Sequence, residues 1–269
     1  MKLGLKVRSK DVALVSVFAA LLVIISRLPG IPIVGGEGKI EFTIIFTPII
    51  GIVLGPWLGG LAAFIGNSIG WLIPKTTFMG FLYLPTGPVA AIVSGALARN
   101  GKIANWKLSA ALIGILNGLW YLTPPGQEIQ EPLLLIYPFL HWAAFVLVIL
   151  FRERVNVFFH SGIKQKITLG TVLCCFSGIM ANHMTGNLIF ISSVGWFTSL
   201  KAIKDAVKAL GFWWLQSGLA NPEDVGPLGA LFAFYLPITV VERLLLTVIA
   251  TYIGIGIVFA LKRSGLINI

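Results

Sequence analysis

Charged residues are scarce in this sequence. Asp, Glu, Lys and Arg together make up 11% of the 269 residues, against about a quarter in an ordinary soluble domain. Apolar residues make up 57% and the mean hydropathy is +0.93, which excludes a soluble fold and indicates an integral membrane protein. The formal charge of +10 arises from basic residues that lie between apolar runs. This pattern fits the excess of positive charge in cytoplasmic loops, so no nucleic-acid partner is predicted.

Motifs for metal binding and for ATP hydrolysis are also missing. The two cysteines, Cys174 and Cys175, are adjacent, which fits neither a disulfide framework nor a zinc-ligand spacing. No G-x-x-x-x-G-K-S/T motif is present, so the chain is not predicted to hydrolyse ATP. His141, His160 and His183 fall in three separate segments without a cluster of carboxylates or cysteines. The sequence therefore predicts no metal, no cofactor and no enzyme activity.

Long apolar runs are abundant instead. A helix needs about 20 residues to cross a hydrocarbon core of about 30 Å, and we predict eight crossings in one all-α membrane domain over residues 1–269. The runs cover residues 12–28, 42–54, 57–73, 78–98, 108–122, 133–151, 167–194 and 228–261. An even number of crossings places both termini on one side of the membrane. Of the 20 Lys and Arg residues, thirteen lie on that side, six lie on the other and Arg243 lies inside the last run, which predicts cytoplasmic termini and a multi-pass protein of the cell membrane.

Three of the runs have special features. The first resembles a signal peptide, but no small-residue cleavage site follows it, so we predict that it is retained as the first helix. The run 42–54 is short and contains Pro48, which predicts a short or kinked helix. The last run is longer than one crossing requires, and we predict that it breaks near Pro237 into a short outer piece and a spanning helix.

Residues 199–218 form a more polar segment on the predicted outer side. Lys201, Lys204 and Lys208 share one face of a helix, and Trp213 and Trp214 follow them. Lysines with neighbouring tryptophans are typical of a helix that lies in a membrane interface. We therefore predict an amphipathic helix on the outer surface.

Polar side chains recur at a similar depth inside the runs. At about 1.5 Å per residue from each predicted helix start, they lie in the middle and outer layers. Unsatisfied polar groups in hydrocarbon are costly, so we predict that they converge on one cavity that is open to the outside and binds a small molecule. Glu242 and Arg243 leave two interpretations, a functional pair inside the membrane or charges at its outer boundary. The predicted substrate-binding residues are Asn67, Asn117, His141, Asn182, His183, Asn187, Glu242 and Arg243.

The segment GIMANHMTGNLIF, residues 178–190, is the richest in such side chains. His183 and Asn187 are four residues apart and share a helix face, whereas Asn182 points about 100° away. Thr185 lies off that face and can bond its hydroxyl to the preceding turn. Either these side chains border the cavity, or they only hydrogen-bond neighbouring helices.

Three stretches resemble the substrate-binding S components of energy-coupling factor (ECF) transporters. They are KDVALVSVFAALLVI, FTPIIGIVLGPWLGGLAAFIGNSIGWL and FYLPITVVERLLLTVIATYIGIGIVFALKR. The resemblance implies a membrane subunit that captures a small water-soluble, vitamin-like compound. It also implies partners on other chains, namely a transmembrane coupling subunit and two ATPase subunits. Known S components have six membrane helices, so the surplus is placed between residues 130 and 227.

The resemblance also assigns roles to two segments. In that family, small residues on the first helix contact the coupling subunit, which small side chains permit by allowing close helix packing. The matching positions here are Ala13, Ser16 and Ala20. The loop after the first helix, residues 29–41, matches the loop that closes the pocket. Its glycines allow movement, and they are Gly35, Gly36 and Gly38.

Two alternative functions remain open. A stand-alone secondary transporter would need a site for a coupling ion and internal repeats, and the sequence has few intramembrane carboxylates. A serine protease of the rhomboid type is suggested by GNSIG, residues 66–70, and by the spacing of His183 and Asn187. However, Ser68 lies in a predicted helix rather than at a strand–turn–helix elbow, and small residues in membrane helices usually serve packing.

Overall fold

The computed structural model describes residues 8–32, 39–73, 76–103, 105–128, 131–209, 216 and 221–267. This part of the chain is a bundle of α-helices, as predicted. The helices are α1 Ser9–Ile25, α2 Thr43–Leu54, α3 Pro56–Leu72, α4 Phe78–Tyr83, α5 Thr86–Ala98, α6 Trp106–Trp120, α7 Pro124–Gln127, α8 Pro132–Ile136, α9 Phe139–Phe151, α10 Arg154–His160, α11 Lys164–Ser193, α12 Leu200–Ala209 and α13 Pro222–Arg263. A two-residue antiparallel pair, β1 Ile31–Pro32 and β2 Lys39–Ile40, follows α1.

Each of the eight predicted apolar runs contains a helix. A backbone in hydrocarbon must satisfy its own hydrogen bonds, which is why apolar runs of this length fold as helices. Within the described residues, four helical segments are long and apolar enough to cross a membrane: Phe78–Ala98, Pro132–Phe151, Lys164–Ser193 and Glu223–Arg263. The number of eight crossings stays a prediction, because the other apolar helices are shorter, from 12 residues in α2 to 17 in α1 and α3.

The last helix is interrupted at a different point from the predicted one. α13 continues through Pro237, and the interruption lies at Gly226, whose φ is 69°. The predicted break near Pro237 is therefore wrong. A positive φ takes the backbone out of the helical conformation, whereas the hydrogen bond that a proline lacks is tolerated in a membrane helix packed against its neighbours. The short helix predicted around Pro48 is confirmed as α2.

α11 is the central helix of the bundle. It packs against α2, α5, α6, α9, α10 and α13, and α5 in turn packs against α2, α3 and α6. α1 lies at the edge, mainly against α3. The Nζ of Lys10 donates a hydrogen bond to the carbonyl oxygen of Gly265 at 3.1 Å. The start of α1 and the end of α13 therefore lie together.

One side of α1 is not covered by the rest of the described chain. Ala13, Ser16 and Ala20 are exposed, whereas the neighbouring Ala19 is buried. The small residues that the family resemblance assigns to a partner thus face outwards, and the contact itself stays a prediction. The glycines assigned to the gating loop, at positions 35, 36 and 38, lie outside the described residues.

Buried apolar side chains form two separate cores. The first core includes Leu22, Ile49, Leu97, Ile113 and Ile179. The second core includes Trp120, Tyr137, Met184, Ile203 and Phe232. The first core therefore takes most of its residues from α1, α2, α5 and the amino-terminal part of α11. The second core is built by the end of α6, by α8 and the turn that follows it, by the carboxy-terminal part of α11, by α12 and by the first half of α13.

α12 contributes its apolar side to the second core. Ile203 and Val207 are buried there and α12 packs against α13. The exposed face carries Lys201, Lys204 and Lys208, as predicted. The apolar side of this helix therefore contacts protein, and a position on the membrane surface stays a prediction. The tryptophans at positions 213 and 214 lie outside the described residues.

Candidate functional site

Polar side chains separate the two cores. On α6, α11 and α13, and on the segment formed by α8 and α9, polar residues lie between the last buried member of one core and the first buried member of the other. Four of them are Asn117 on α6, His141 on α9, His183 on α11 and Arg243 on α13. Together with Asn187 and Glu242, whose contacts are described below, we call this set the polar layer. It contains six of the eight residues predicted to bind substrate.

Two histidines meet in the polar layer. The Nε2 of His141 lies 3.0 Å from the Nδ1 of His183, and the two rings are nearly parallel, with centroids 5.1 Å apart. This pairing was not predicted from the sequence, whereas His160 lies apart, with its Nδ1 2.9 Å from the carbonyl oxygen of Asn156. Among the described residues no group of three His, Cys, Asp or Glu side chains is placed to hold a metal ion. Since each ring has two nitrogens, the pair leaves one nitrogen on each ring for other partners.

Asn187 makes a second contact of the same kind. Its Nδ2 donates a hydrogen bond to the hydroxyl of Tyr137 at 3.1 Å. Tyr137 lies in the turn between α8 and α9, four residues before His141, and His183 precedes Asn187 by four residues on α11. Two side chains of one segment thus meet two side chains of α11. The predicted shared face of His183 and Asn187 is thereby confirmed.

Aromatic rings extend this contact into a wall. Trp120 stacks on Tyr137 with ring centroids 4.5 Å apart, and Tyr137 is followed by His141 at 6.4 Å. The edge of Phe232 contacts both Trp120 and Tyr137, with centroids 5.2 Å away in each case. Four rings thus follow one another, Trp120, Tyr137, His141 and His183, and the two histidines belong to the polar layer. Such a wall favours a flat ligand that can stack on it.

Arg243 supplies the charge of the layer. It is 5% exposed, and its Nη2 lies 3.2 Å from the Oε1 of Glu242. Arg243 is thus enclosed by protein, and the position of the pair relative to the membrane boundary stays a prediction. The guanidinium is also near enough to Tyr137, His141 and His183 to act on them electrostatically.

Several buried polar atoms in this region have no hydrogen-bond partner among the described residues. They are Oδ1 and Nδ2 of Asn117, Nε1 of Trp120 and Nε of Arg243. Glu242 Oε1 contacts Arg243, but without hydrogen-bond geometry. Buried polar groups are normally paired, and each unpaired one costs about 1–3 kcal/mol. Their position where the two apolar cores meet makes this layer the candidate ligand site.

Within the described part of the chain, the remaining two predicted residues have no hydrogen bond to the polar layer. Asn67 lies on α3, where its amide nitrogen is close to Gly87 at the start of α5, so it is not among the side chains that meet in the layer. Asn182 is on α11, about 100° around the helix from His183. Similar depth along a helix does not fix the direction of a side chain, and a role for Asn182 in the site stays a prediction.

An open cavity of about 320 Å³ lies on the opposite side of α11. Its lining includes Leu82, Leu116, Leu188 and Phe197, and it also includes Thr185. The Thr185 hydroxyl donates to the carbonyl oxygen of Ala181 at 2.7 Å, which confirms the predicted bond to the preceding turn. None of the eight predicted residues lines this cavity, and its walls offer a ligand few directional groups.

The protease alternative does not agree with the structure. A serine nucleophile needs a base within hydrogen-bond reach, but Ser68 Oγ has no hydrogen-bond partner among the described residues. His183, the base in that hypothesis, has its Nδ1 in contact with His141 instead. The Ser68–His183 pair is therefore not formed.

Comparison with known proteins supports the transporter interpretation. Residues 6–122 match the family model described as "ECF-type riboflavin transporter, S component". The resemblance to S components is therefore confirmed for the amino-terminal part of the chain. The match is to transport proteins, in agreement with the prediction that the chain is not an enzyme.

A curated relative covers a larger part of the chain. The uncharacterized protein MJ0923 of Methanocaldococcus jannaschii is 28% identical over 159 residues, which are 59% of this chain and 50% of the relative. The chain thus spans about half the length of the curated relative that it matches. No solved structure matches the chain significantly.

The family match ends where the second core begins. Residues 6–122 contain helices α1 to α6, whereas the polar layer, apart from Asn117, lies beyond residue 122. The role of the layer therefore cannot be read from the family. It has to be argued from its own chemistry.

Proposed function

We propose that this chain is the substrate-capture subunit of an ECF-type importer and that the polar layer binds a small, water-soluble, vitamin-like compound from outside the cell. The observation that carries the proposal is that Asn117, Trp120 and Arg243 hold unpaired buried polar atoms where the two apolar cores meet. Small-molecule sites are mostly apolar, with a few directional polar groups that set the orientation of the ligand. The polar layer has this composition.

Different side chains at the site contact different parts of the ligand. The ring wall from Trp120 to His183 stacks against a flat part of the ligand. Asn117 offers both a donor and an acceptor, Arg243 offers donors, and the free ring nitrogens of the histidine pair add further hydrogen bonds. Each of these groups has a fixed direction because it projects from a packed helix. Asn67 and Asn182 have no direct contact with the ligand in this arrangement.

Transport requires the partners that the family match implies. The chain has no ATP-binding motif of its own, so we propose that a coupling subunit docks on the exposed face of α1 around Ala13, Ser16 and Ala20. ATP hydrolysis by the associated ATPase subunits then reorients this subunit and releases the ligand inwards. Both termini lie in the cytoplasm, and the loop 29–41 closes the outer side of the site.

A coupling-ion mechanism receives less support. A stand-alone secondary transporter needs carboxylates or backbone oxygens to hold an ion. In the polar layer the carboxylate is Glu242, and it contacts the positively charged Arg243. That contact leaves little attraction for a cation.

Two measurements on the purified protein test the proposal, namely the identity of the small molecule that it binds and the partners that it requires for uptake. We expect mass spectrometry of small molecules released from the detergent-solubilised protein to find a vitamin-like compound in stoichiometric amount. We expect uptake into liposomes only when the coupling and ATPase subunits and ATP are present. Proton- or sodium-driven uptake by this chain alone would contradict the proposal and favour a secondary transporter.

A further inference from the structure

The hydrogen bonding of Arg243 is incomplete. Its neighbour Glu242 is the next residue of the same helix, so the two side chains leave the helix about 100° apart. The pair meets through one oxygen and one nitrogen at 3.2 Å, and the side chain of Glu242 is 20% exposed whereas that of Arg243 is 6% exposed. A guanidinium has five N–H donors. Most of them are not used by this contact, and Nε has no hydrogen-bond partner among the described residues.

The other neighbours of Arg243 do not neutralise it. Tyr137, His141 and His183 lie within its electrostatic range, but none of them carries a negative charge at neutral pH. Apolar cores lie on both sides of the layer. A buried cation in such surroundings is expensive unless an anion and several hydrogen bonds stabilise it.

Trp120 stacks on Tyr137 beside the polar layer and adds an unpaired donor to it. The unpaired donors are then Trp120 Nε1, Asn117 Nδ2 and Arg243 Nε, whereas the acceptor without a partner is Asn117 Oδ1, since Glu242 Oε1 contacts Arg243. His141 Nδ1 is also unpaired, and its role depends on the tautomer. A ligand that matches this set presents more oxygen acceptors than N–H or O–H donors.

From these observations we infer that the ligand of the polar layer carries a negative charge, as a carboxylate or a phosphate, and that Arg243 binds this group. The planar guanidinium fork matches the two oxygens of either anion. The inference rests on the proposed function, and it goes beyond the family match because riboflavin itself is neutral.

Glu242 competes with the ligand in this scheme. When the ligand anion binds the Arg243 fork, Glu242 loses its partner and turns towards its exposed side. The two substitutions of the pair therefore have opposite effects. Arg243→Gln removes the anion site, whereas Glu242→Gln removes the competing carboxylate.

The test uses pairs of compounds that differ by one negative charge. Suitable pairs are riboflavin and riboflavin phosphate, nicotinamide and nicotinate, and biotin amide and biotin. Binding to the full-length protein in detergent is measured by isothermal titration calorimetry and by the shift in thermal unfolding. We expect at least one charged member to bind at least about tenfold more tightly than its neutral partner, with this preference lost in Arg243→Gln and increased in Glu242→Gln.

Controls separate loss of binding from loss of folding. Arg99 is a second, partly buried arginine outside the layer, whose Nη2 donates to the carbonyl oxygen of Val53 at 3.0 Å, so Arg99→Gln should leave the preference unchanged. The variant Arg243→Lys keeps the positive charge but loses the planar guanidinium fork. The double variant Glu242→Gln/Arg243→Gln removes both charges, so that neither is left buried without its partner. Both should fold, and both should bind the charged compound less tightly than the unmodified protein.

The possible failures are distinct. Equal binding of a charged compound and its neutral partner, or weaker binding in Glu242→Gln, overturns the inference and leaves the capture function in place. Failure of every compound to bind, together with no co-purifying small molecule, overturns both.

Discussion

His141 and His183 are 42 residues apart in the chain, yet their ring nitrogens lie 3.0 Å from each other between α9 and α11. One turn away, Tyr137 and Asn187 make the matching contact at 3.1 Å. Such contacts can serve helix packing or ligand binding. Substitutions of both residues of α11 distinguish the two roles.

We expect His183→Ala and Asn187→Ala each to lower ligand affinity at least about tenfold, or ~1.4 kcal/mol, with nearly unchanged expression and thermal stability of the ligand-free protein. Tyr137→Phe is the matched control, because it removes the same hydrogen bond but keeps the Asn187 amide. Thr185→Val controls for a polar residue whose hydroxyl bonds only to its own helix. Equal loss of stability in Asn187→Ala and Tyr137→Phe, with affinity unaltered, would show that the contact serves packing only.

A second prediction concerns the exposed side of α1. Ser16→Trp and Ala20→Leu should leave ligand binding intact and abolish both assembly with the coupling subunit and ATP-driven uptake, because a bulky side chain prevents close approach of a partner helix. Co-purification and liposome uptake measure the two effects. Val146→Trp places the same bulk at another exposed position, on α9, and should permit transport. Transport by both α1 variants would show that the contact lies on another face.

A third prediction concerns the loop after α1. Its glycines permit movement, so a spin label on a cysteine introduced at position 35 should lose mobility when ligand binds. The native Cys174 and Cys175 are fully buried, which favours selective labelling. Electron paramagnetic resonance with and without saturating ligand measures the change. An unaltered spectrum would remove the loop from the mechanism.

A fourth prediction tests the interruption of α13. Gly226 has a φ of 69°, a conformation that costs a residue with a Cβ about 1–2 kcal/mol, so Gly226→Ala should lower the thermal unfolding midpoint. Gly256 lies in the same helix with helical geometry and nothing within 4 Å of an added Cβ. Gly256→Ala should be neutral or stabilising, by up to about 1 kcal/mol. An equal shift of the unfolding midpoint in Gly226→Ala and Gly256→Ala would mean that the positive φ at Gly226 is not required.

The sequence predicted the helices well because hydrocarbon permits few alternatives for the backbone. Every apolar run contains a helix, including the short one around Pro48. The interruption of the last helix was misplaced for a physical reason. Pro237 is a conspicuous helix breaker in a sequence, but a single missing hydrogen bond is a smaller disturbance than the positive φ at Gly226, which lies just outside the apolar run.

The sequence predicted how deep the site residues lie along their helices, but not the direction in which their side chains point. Counting residues along each helix placed Asn117, His141 and His183 at similar depth, and the structure brings them to one layer. The same count included Asn67 and Asn182. The directions of their side chains depend on how each helix is rotated about its axis, and this rotation is determined only by packing. Trp120 and Tyr137 were missed because aromatic residues in apolar runs are typical of a core; the spacing of four between Tyr137 and His141 was the available signal.

The two hydrophobic cores also act as electrical insulation. Between them the effective dielectric constant falls from that of water, about 80, to nearer 20, which raises the attraction between two opposite charges about fourfold. Salt in the surrounding solution screens such an enclosed pair much less than an exposed one. Side chains that never touch the ligand, such as Phe232 on one side and Leu246 on the other, therefore determine how sharply Arg243 separates a charged compound from its neutral analogue. Discrimination by charge is in this sense a property of the whole bundle rather than of one guanidinium.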